Sequence, residues 1–168
     1  MAEILDSGNR TEFETGAVRD IQEGKGREDL MPLLTISEII TAYKETMEMP
    51  ESPLVDISYF MQTGDKHYLI CAVLDMLYDT NDNIFNMLLE LGIHYENGAK
   101  KYGENNWQKG IPVQRYIDSG VRHYYKYYRG DTDENHLRAF YWNMVCAIWT
   151  VDNKPDLNCY GEQTNVTE

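Results

Sequence analysis

The apolar residues of this chain recur at helical spacing in segments separated by turn-forming residues. The first predicted helix begins near Thr35, whose spacing to Glu38 has the form of a capping box. Its apolar positions extend to Met47, and Pro50 and Pro53 then break it. The pattern therefore predicts an amphipathic helix followed by a proline-bounded connection.

Three more helices follow from the same periodicity. Asp65 can cap a second helix that continues to about residue 77, and a third begins after Asn81 or Asp82. Pro112 and Gly130 bracket a fourth helix with the expected asymmetry of proline at the start and glycine past the end. The third helix carries a sustained packing seam at Ile84, Leu88, Leu91, Tyr95, Ala99 and Tyr102.

A fifth helix is predicted over residues 133–149 and is apolar on nearly every face from Ala139, which places it at the centre of the bundle. No segment has the alternating pattern of a strand. The predicted fold class is all-α, a bundle of about five helices with an irregular polar N-terminal arm. We divide the chain into that arm (1–34), an all-α domain (35–151) and a polar tail (152–168).

Charge and composition narrow the function. The chain has 168 residues, 42% of them apolar, and a formal charge of −13, which would repel DNA or RNA. A small phosphorylated ligand is compatible with this charge, because a divalent cation can join carboxylates to phosphates. Neither a signal peptide nor an apolar run of transmembrane length is recognisable, so we expect a cytoplasmic protein without a membrane partner.

Polar groups recur between His94 and Asn143 on segments that otherwise have the pattern of buried helices. Carboxylates that can hold a metal, cations that can hold phosphate, and imidazoles all fall within this stretch. The mixture favours phosphate-ester or phosphoanhydride chemistry over a purely structural role. Lys101, Asn106 and Trp107 supply a cation, an amide and an aromatic ring, a set suited to a nucleobase or sugar.

The other candidates on these helices each have a structural alternative. Arg122 has the planar fork that binds phosphate, and His123 can serve as an acid, a metal ligand or a phosphate donor. His136 and Asn143 share a helical face, and either contact a ligand or form a buried network that joins helices. Glu134 is either a metal ligand or a favourable charge at a helix N-terminus.

Acidic residues of the third helix and basic residues of the arm complete the candidates. Glu96 and Lys100 are four residues apart and predict a salt bridge, with Glu90 on a neighbouring face. The run around Lys25 and Arg27 has the composition of a phosphate-cradling loop without the Walker spacing. Its alternative is a solvated arm that packs across a helix pair.

Several motifs point in one direction when they are taken together. They are Thr15-Gly16-Ala17-x-Arg19-Asp20, Gly26-Arg27-x-Asp29-Leu30-x-Pro32, His94-Tyr95-Glu96-x-Gly98-Ala99-Lys100-Lys101-Tyr102-Gly103-x-x-Asn106-Trp107, Arg122-His123, Glu134-x-His136-Leu137 and Trp142-Asn143. Over about residues 11–34 and 90–150 the chain thereby resembles the phage dATP/dGTP diphosphohydrolase family. That family is similar to the MazG-like all-α NTP pyrophosphatases, which are helical, oligomeric and Mg²⁺-dependent.

The resemblance implies a MazG-like fold, a homo-oligomer, and cleavage of a dNTP, with purine preference, into a dNMP and pyrophosphate in the host cytoplasm if the chain is phage-encoded. It implies that Glu96 and Glu134, with Glu90, hold Mg²⁺, with Mn²⁺ as the alternative ion, and that Glu96 and Glu134 are catalytic residues that help generate the attacking hydroxide. The other implied roles are phosphate neutralisation by Lys100, Lys101 and Arg122, positioning of water or phosphate by His123 and His136, contact with sugar or base by Asn106, Trp107 and Asn143, and closure of the arm by Lys25 and Arg27.

The chain also departs from the MazG-like pattern. The paired E-x-x-E and E-x-x-D motifs are not cleanly present, because Glu90 and Glu96 are six residues apart and Leu137 stands where the second motif has aspartate. Residues 40–86 have the character of a helical insertion. A second hypothesis therefore stays open, in which the protein is a non-catalytic sponge that sequesters a nucleotide or a nucleotide-derived signal.

Overall fold

A computed structural model describes residues 10–20, 24–45 and 52–161. The expectations for Met47 and Pro50, for residues 21–23 of the arm, and for the tail beyond residue 161 lie outside the described residues. The described elements are β1 (Arg10–Glu12), β2 (Val18–Asp20), α1 (Leu33–Glu45), α2 (Pro53–Thr63), α3 (His67–Asp79), α4 (Ile84–Tyr102), α5 (Val113–Arg129) and α6 (His136–Asn153). The predicted all-α class is confirmed.

Helix α2 lies within the predicted helical insertion but has no counterpart among the five helices predicted one by one, because Pro53 was taken only as a breaker. Ser52 is the N-cap of α2 and accepts a hydrogen bond from Leu54 N, and Pro53 occupies the first turn. Proline is tolerated there because the first-turn N–H groups have no intrahelical acceptor. The same residue therefore starts a helix, and the described chain contains six α-helices where about five were predicted.

The other helix ends follow the sequence signals closely. Asp65 Oδ1 accepts from His67 N at 2.9 Å just before the N-cap of α3, which is Lys66, and Asn83 is the N-cap of α4, where its Oδ1 accepts from Phe85 N at 2.8 Å. Gly130 ends α5 in the left-handed conformation with φ +83°, where an L side chain would be strained. Helix α6 continues to Asn153, four residues past the predicted end.

The core forms around α6, as its all-round apolar sequence predicted. Phe140, Met144 and Ile148 are fully buried on this helix, which packs against α3, α4 and α5. Helix α2 packs on α3 at the side of this group, and Tyr160 beyond α6 contacts the Phe60 ring with 5.4 Å between ring centres. The polar residues between His94 and Asn143 therefore belong to α4, α5 and the first half of α6, together with the segments that connect these helices.

The N-terminal arm is not wholly irregular. Strands β1 and β2 pair antiparallel, with Arg10 opposite Asp20, and Gly16 takes the positive φ of +79° in the connecting turn. Strands of three residues are too short to produce a recognisable alternation, which explains why the sequence did not predict them. None of the described helices combines the length and the apolar character needed to cross a membrane.

Candidate functional site

A cavity of about 430 Å³ opens between α4, α5 and α6 and is closed on one side by the arm. It brings together five of the residues proposed from sequence: Asn106, Trp107, His123, Glu134 and Asn143. Its other lining residues are Leu30, His94, Tyr95, Gly98, Ala99, Tyr102, Gly103, Asn105, Ile111, Ser119, Ala139 and Trp142. Glycine, alanine and serine are among these lining residues, and their small side chains leave the space of the cavity open.

Aromatic rings form one wall of this cavity. The His94 imidazole lies against the Trp142 indole with 5.1 Å between ring centres, and Tyr95 contacts both Trp107 and Trp142 edge-on or tilted. Burial, together with the positive charges of Arg138 and His123, lowers the pKa of His94 to about 4. His94 therefore presents an uncharged imidazole at neutral pH, and such a wall suits a flat, weakly polar ring.

Asn143 supplies a buried polar group to the cavity. Its side chain is 4% exposed, and its Nδ2 donates to Ala139 O at 2.7 Å one turn earlier in α6. The amide nitrogen is thus used within α6, and the amide oxygen Oδ1 is the atom with which Asn143 can accept a hydrogen bond from a ligand. Of the two interpretations from sequence, the His136–Asn143 network is not formed, because the hydrogen-bond partners of His136 are His123 and Asp133.

Two imidazoles and a carboxylate converge at the polar end of the cavity. His123 Nδ1 lies 3.1 Å from His136 Nδ1, and Glu134 Oε1 lies 3.4 Å and 3.6 Å from these two nitrogens. His136 is buried, whereas the Glu134 side chain is 46% exposed. These three side chains form one of two groups among the described residues with the spacing to hold a metal ion.

A charged pair behind His136 fixes the orientation of its ring. His136 Nε2 donates to Asp133 Oδ1 at 2.8 Å, and Asp133 Oδ2 accepts from Lys126 Nζ at 2.9 Å. These contacts, with Lys126 contributing most, lower the pKa of Asp133 to about 2. Because Nε2 carries the proton, Nδ1 of His136 directs its lone pair toward His123 and Glu134.

The second possible metal group, Asp131, Asp133 and His136, lies on the other side of this ring. Its carboxylates are already bound by cations, Asp131 by Arg129 and Asp133 by Lys126. Neither aspartate lines the cavity. The group of His123, Glu134 and His136 is therefore the stronger candidate.

Glu96 lies elsewhere and holds the arm against α4. Its Oε1 accepts from Gly24 N and its Oε2 from Gly26 N, both at 2.9 Å, and Lys100 Nζ lies 2.8 Å from Oε1. Arg27 N also donates to Gly92 O at 2.9 Å. The predicted Glu96–Lys100 pair is present, and the carboxylate is buried instead of facing the cavity.

We expect the attachment of the arm to weaken in acid. The Lys100 ammonium and the Gly24 and Gly26 amides lower the pKa of Glu96 from its ordinary 4.5 to about 2. A depressed carboxylate pKa stabilises the fold above the ordinary value, and this contribution is lost as the pH falls from about 4.5 to about 2. NMR shifts of the Gly24 and Gly26 amides should move through this range. Glu96→Gln should abolish that titration, and unchanged amide shifts in the native chain would contradict the prediction.

Most of the cations predicted to bind phosphate are engaged in ion pairs. Arg27 pairs with Asp29 and Glu104, and Arg122 pairs with Asp118 at 3.0 Å. Lys100 is bound to Glu96, as described above. Lys25 is exposed in the arm between Gly24 and Gly26.

Lys101 is an exposed cation beside a residue that lines the cavity. Its ammonium lies 4.9 Å from the ring centre of Tyr102, a lining residue, and its charge interacts with that of Glu134.

Glu90 does not line the cavity, and its carboxylate is engaged by side chains at the start of α6. Its Oε2 accepts from Arg138 Nη1 at 3.0 Å and from Asn135 Nδ2 at 3.3 Å, which joins α4 to α6. The structure thus does not bring together the predicted ligands Glu90, Glu96 and Glu134.

Sequence reasoning gave no role to several cavity residues. His94 and Trp142 lie within the motifs that carried the resemblance, and Ser119 lies four residues before His123 on the same face of α5. Asp133 and His136 have the i, i+3 spacing of a helical pair. The four-residue spacing of Ser119 and His123 and the three-residue spacing of Asp133 and His136 could have indicated these contacts from the sequence.

Comparison with known proteins gives one match. A family model described as dATP/dGTP diphosphohydrolase, N-terminal, matches residues 72–159, more than half of the chain. All the cavity-lining residues except Leu30 fall within the matched range. No curated protein and no solved structure matches the chain.

Proposed function

The chain belongs to the dATP/dGTP diphosphohydrolase family, and from this membership we propose that it hydrolyses a purine deoxynucleoside triphosphate between the α and β phosphates. One water is consumed, and the products are a dNMP and pyrophosphate. The observation that carries the proposal is the cavity between α4, α5 and α6, whose aromatic wall leads to the Glu134 carboxylate and the His123 imidazole.

The wall supports binding of the base. A volume of about 430 Å³ lies within the range of small-molecule sites and exceeds the size of a purine. Trp142 and the neutral His94 offer flat faces for stacking, while Asn106 and Asn143 offer amides for hydrogen bonds to the base or sugar. A base bound there would direct its phosphates toward the polar end.

The polar end supports a divalent ion. His123, Glu134 and His136 offer three donor atoms within one metal-sized cluster, and we propose that they would hold the ion in place of Glu90 and Glu96. When bound, the ion supplies a Lewis acid that withdraws charge from phosphoryl oxygens. The exposed ammonium of Lys101, whose charge interacts with that of Glu134, would add a positive charge that attracts the triphosphate. The remaining contribution of the chain is orientation, because the rings and amides fix the substrate relative to Glu134.

A non-hydrolysing sponge is the second candidate. The ion pairs of Arg27, Lys100 and Arg122 favour it, because cations engaged by carboxylates give little support to a triphosphate in its transition state. A nucleotide with fewer phosphates would need fewer free cations. The homo-oligomer, the host cytoplasm and the insertion at residues 40–86 stay predictions under either function.

The test is a product assay with each dNTP and NTP in the presence of Mg²⁺, Mn²⁺ or EDTA. We expect one purine dNTP to yield dNMP and pyrophosphate in equal amounts, and EDTA to lower the rate about 100-fold or more. Products are separated by HPLC after the protein is denatured. Nucleotide that is depleted from solution and then recovered intact would contradict hydrolysis and favour the sponge.

A further inference from the structure

We infer that His123, Glu134 and His136 form a site for a first-row divalent transition ion, such as Mn²⁺, Co²⁺ or Zn²⁺, in preference to Mg²⁺. The inference deepens the proposed function, on which it rests only for the role of the ion in hydrolysis. The site itself follows from donor atoms, their spacing and the residues behind them.

The spacing of the three donor atoms fits one ion. Nitrogen and oxygen ligands of such ions lie at about 2.0–2.2 Å, so neighbouring ligands are separated by about 3.0 Å at right angles and about 3.4 Å in a tetrahedron. The observed separations are 3.1 Å between the Nδ1 atoms of His123 and His136, and 3.4 Å and 3.6 Å from these nitrogens to Glu134 Oε1. A small adjustment of the exposed Glu134 side chain would complete the fit.

The chemical nature of the ligands selects the ion. Mg²⁺ prefers oxygen ligands and keeps several of its waters, whereas imidazole nitrogen suits Fe²⁺, Ni²⁺ and Zn²⁺. Among the first-row ions the affinity of a mixed nitrogen and oxygen site rises from Mn²⁺ through Co²⁺ to Ni²⁺. Two of the three donors here are imidazoles. A set built from Glu90, Glu96 and Glu134 would have been the Mg²⁺ type, and the structure does not bring those three carboxylates together.

The residues behind the ligands have the arrangement that metal-binding histidines use. His136 donates its other nitrogen, Nε2, to Asp133, and Lys126 holds Asp133 in turn. Such a carboxylate fixes the ring and makes the metal-binding nitrogen more basic. Asp133 is thus a positioning residue for the metal. On the other side, His123 and Glu134 line the cavity, which gives the ion access to a substrate.

The test measures binding of metal to the chelator-stripped protein without nucleotide. Mn²⁺ is followed by the EPR signal of the free ion, Co²⁺ by its visible absorption, and Mg²⁺ by competition against Mn²⁺. We expect one tight site per chain, with Mn²⁺ and Co²⁺ binding at least about 10-fold more tightly than Mg²⁺. Equal or tighter binding of Mg²⁺, or the absence of a Mn²⁺ site, would overturn the inference.

Variants locate the site. Glu134→Gln and His136→Gln should weaken Mn²⁺ binding by about 10-fold or more, and Asp133→Asn by about 10-fold, because it acts through His136. The matched control is His67→Gln, which removes the exposed histidine of α3 and should leave the tight site unchanged. If His136→Gln does not fold, Glu134→Gln decides, since its side chain is 46% exposed. Unchanged binding in folded Glu134→Gln would contradict the assignment.

The assays of binding and hydrolysis separate the two proposals. A metal bound by the three residues in a protein that leaves every dNTP intact would refute the proposed function and support this site. Hydrolysis of a dNTP with Mg²⁺ by a protein that has no tight Mn²⁺ site would do the reverse.

Discussion

Replacement of Glu134 by glutamine is expected to lower kcat for dNTP hydrolysis by about 100-fold or more, the effect of removing a principal electrostatic group from an active site. Glu134 is the one acidic residue among the described residues that line the cavity, and its carboxylate contacts the imidazoles of His123 and His136 at the polar end. Its side chain is 46% exposed and precedes α6, so the fold should survive the change. Steady-state kinetics by HPLC, with circular dichroism for the fold, make the measurement.

Asp118→Asn is the matched control for that variant. Asp118 is an exposed carboxylate of α5 that pairs with Arg122 and does not line the cavity. Its replacement should change kcat less than about threefold, because an exposed ion pair contributes little. Equal losses in the two variants, or full activity in Glu134→Gln, would show that hydrolysis does not depend on the polar end of this cavity.

Gly26→Ala should detach the arm from α4 and raise KM by about 10-fold or more, given that Leu30 of the arm forms part of the cavity wall. Gly26 has φ +88°, and an added Cβ would lie 3.0 Å from Gly92 C and 3.1 Å from Ile93 N, which are backbone atoms that cannot move aside easily. The strain of positive φ alone costs about 1–3 kcal/mol. Hydrogen exchange of residues 24–30 measures the detachment, and kinetics measure KM.

Gly24→Ala separates backbone strain from the collision. Gly24 has a similar φ of +78°, but an added Cβ there would meet no atom within 4 Å. We expect faster hydrogen exchange in the arm with a KM close to that of the native chain. If both variants raised KM equally, close packing of Gly26 on α4 would not be what holds the cavity wall in place.

Local sequence signals predicted the helices well, because caps, breakers and apolar spacing act within one turn. Asn83, Pro112 and Gly130 mark helix ends close to where the sequence placed them. Pro53 was misinterpreted because a proline marks both the end of one helix and the first turn of another, and only tertiary context decides between them.

The sequence predicted several residues of the candidate site but not the contacts that these residues make. The i, i+4 spacing correctly paired Glu96 with Lys100, but the amides that bind the same carboxylate belong to Gly24 and Gly26, more than sixty residues away. No local pattern encodes such a contact. The meeting of His123 with His136 likewise depends on how α5 packs against the start of α6.

The two arm amides that point at Glu96 have a consequence for how the chain treats anions. Successive backbone N–H groups in a glycine-rich turn form a nest of the kind that binds phosphate in other proteins. Here the nest of Gly24 and Gly26 is filled by a carboxylate of the same chain, with one oxygen for each amide. The glycine-rich run therefore attaches the arm to α4, and its anion-binding amides are already occupied by the Glu96 carboxylate. A phosphate group would have to displace Glu96 to use it, so free phosphate in the surroundings should compete poorly for this part of the molecule.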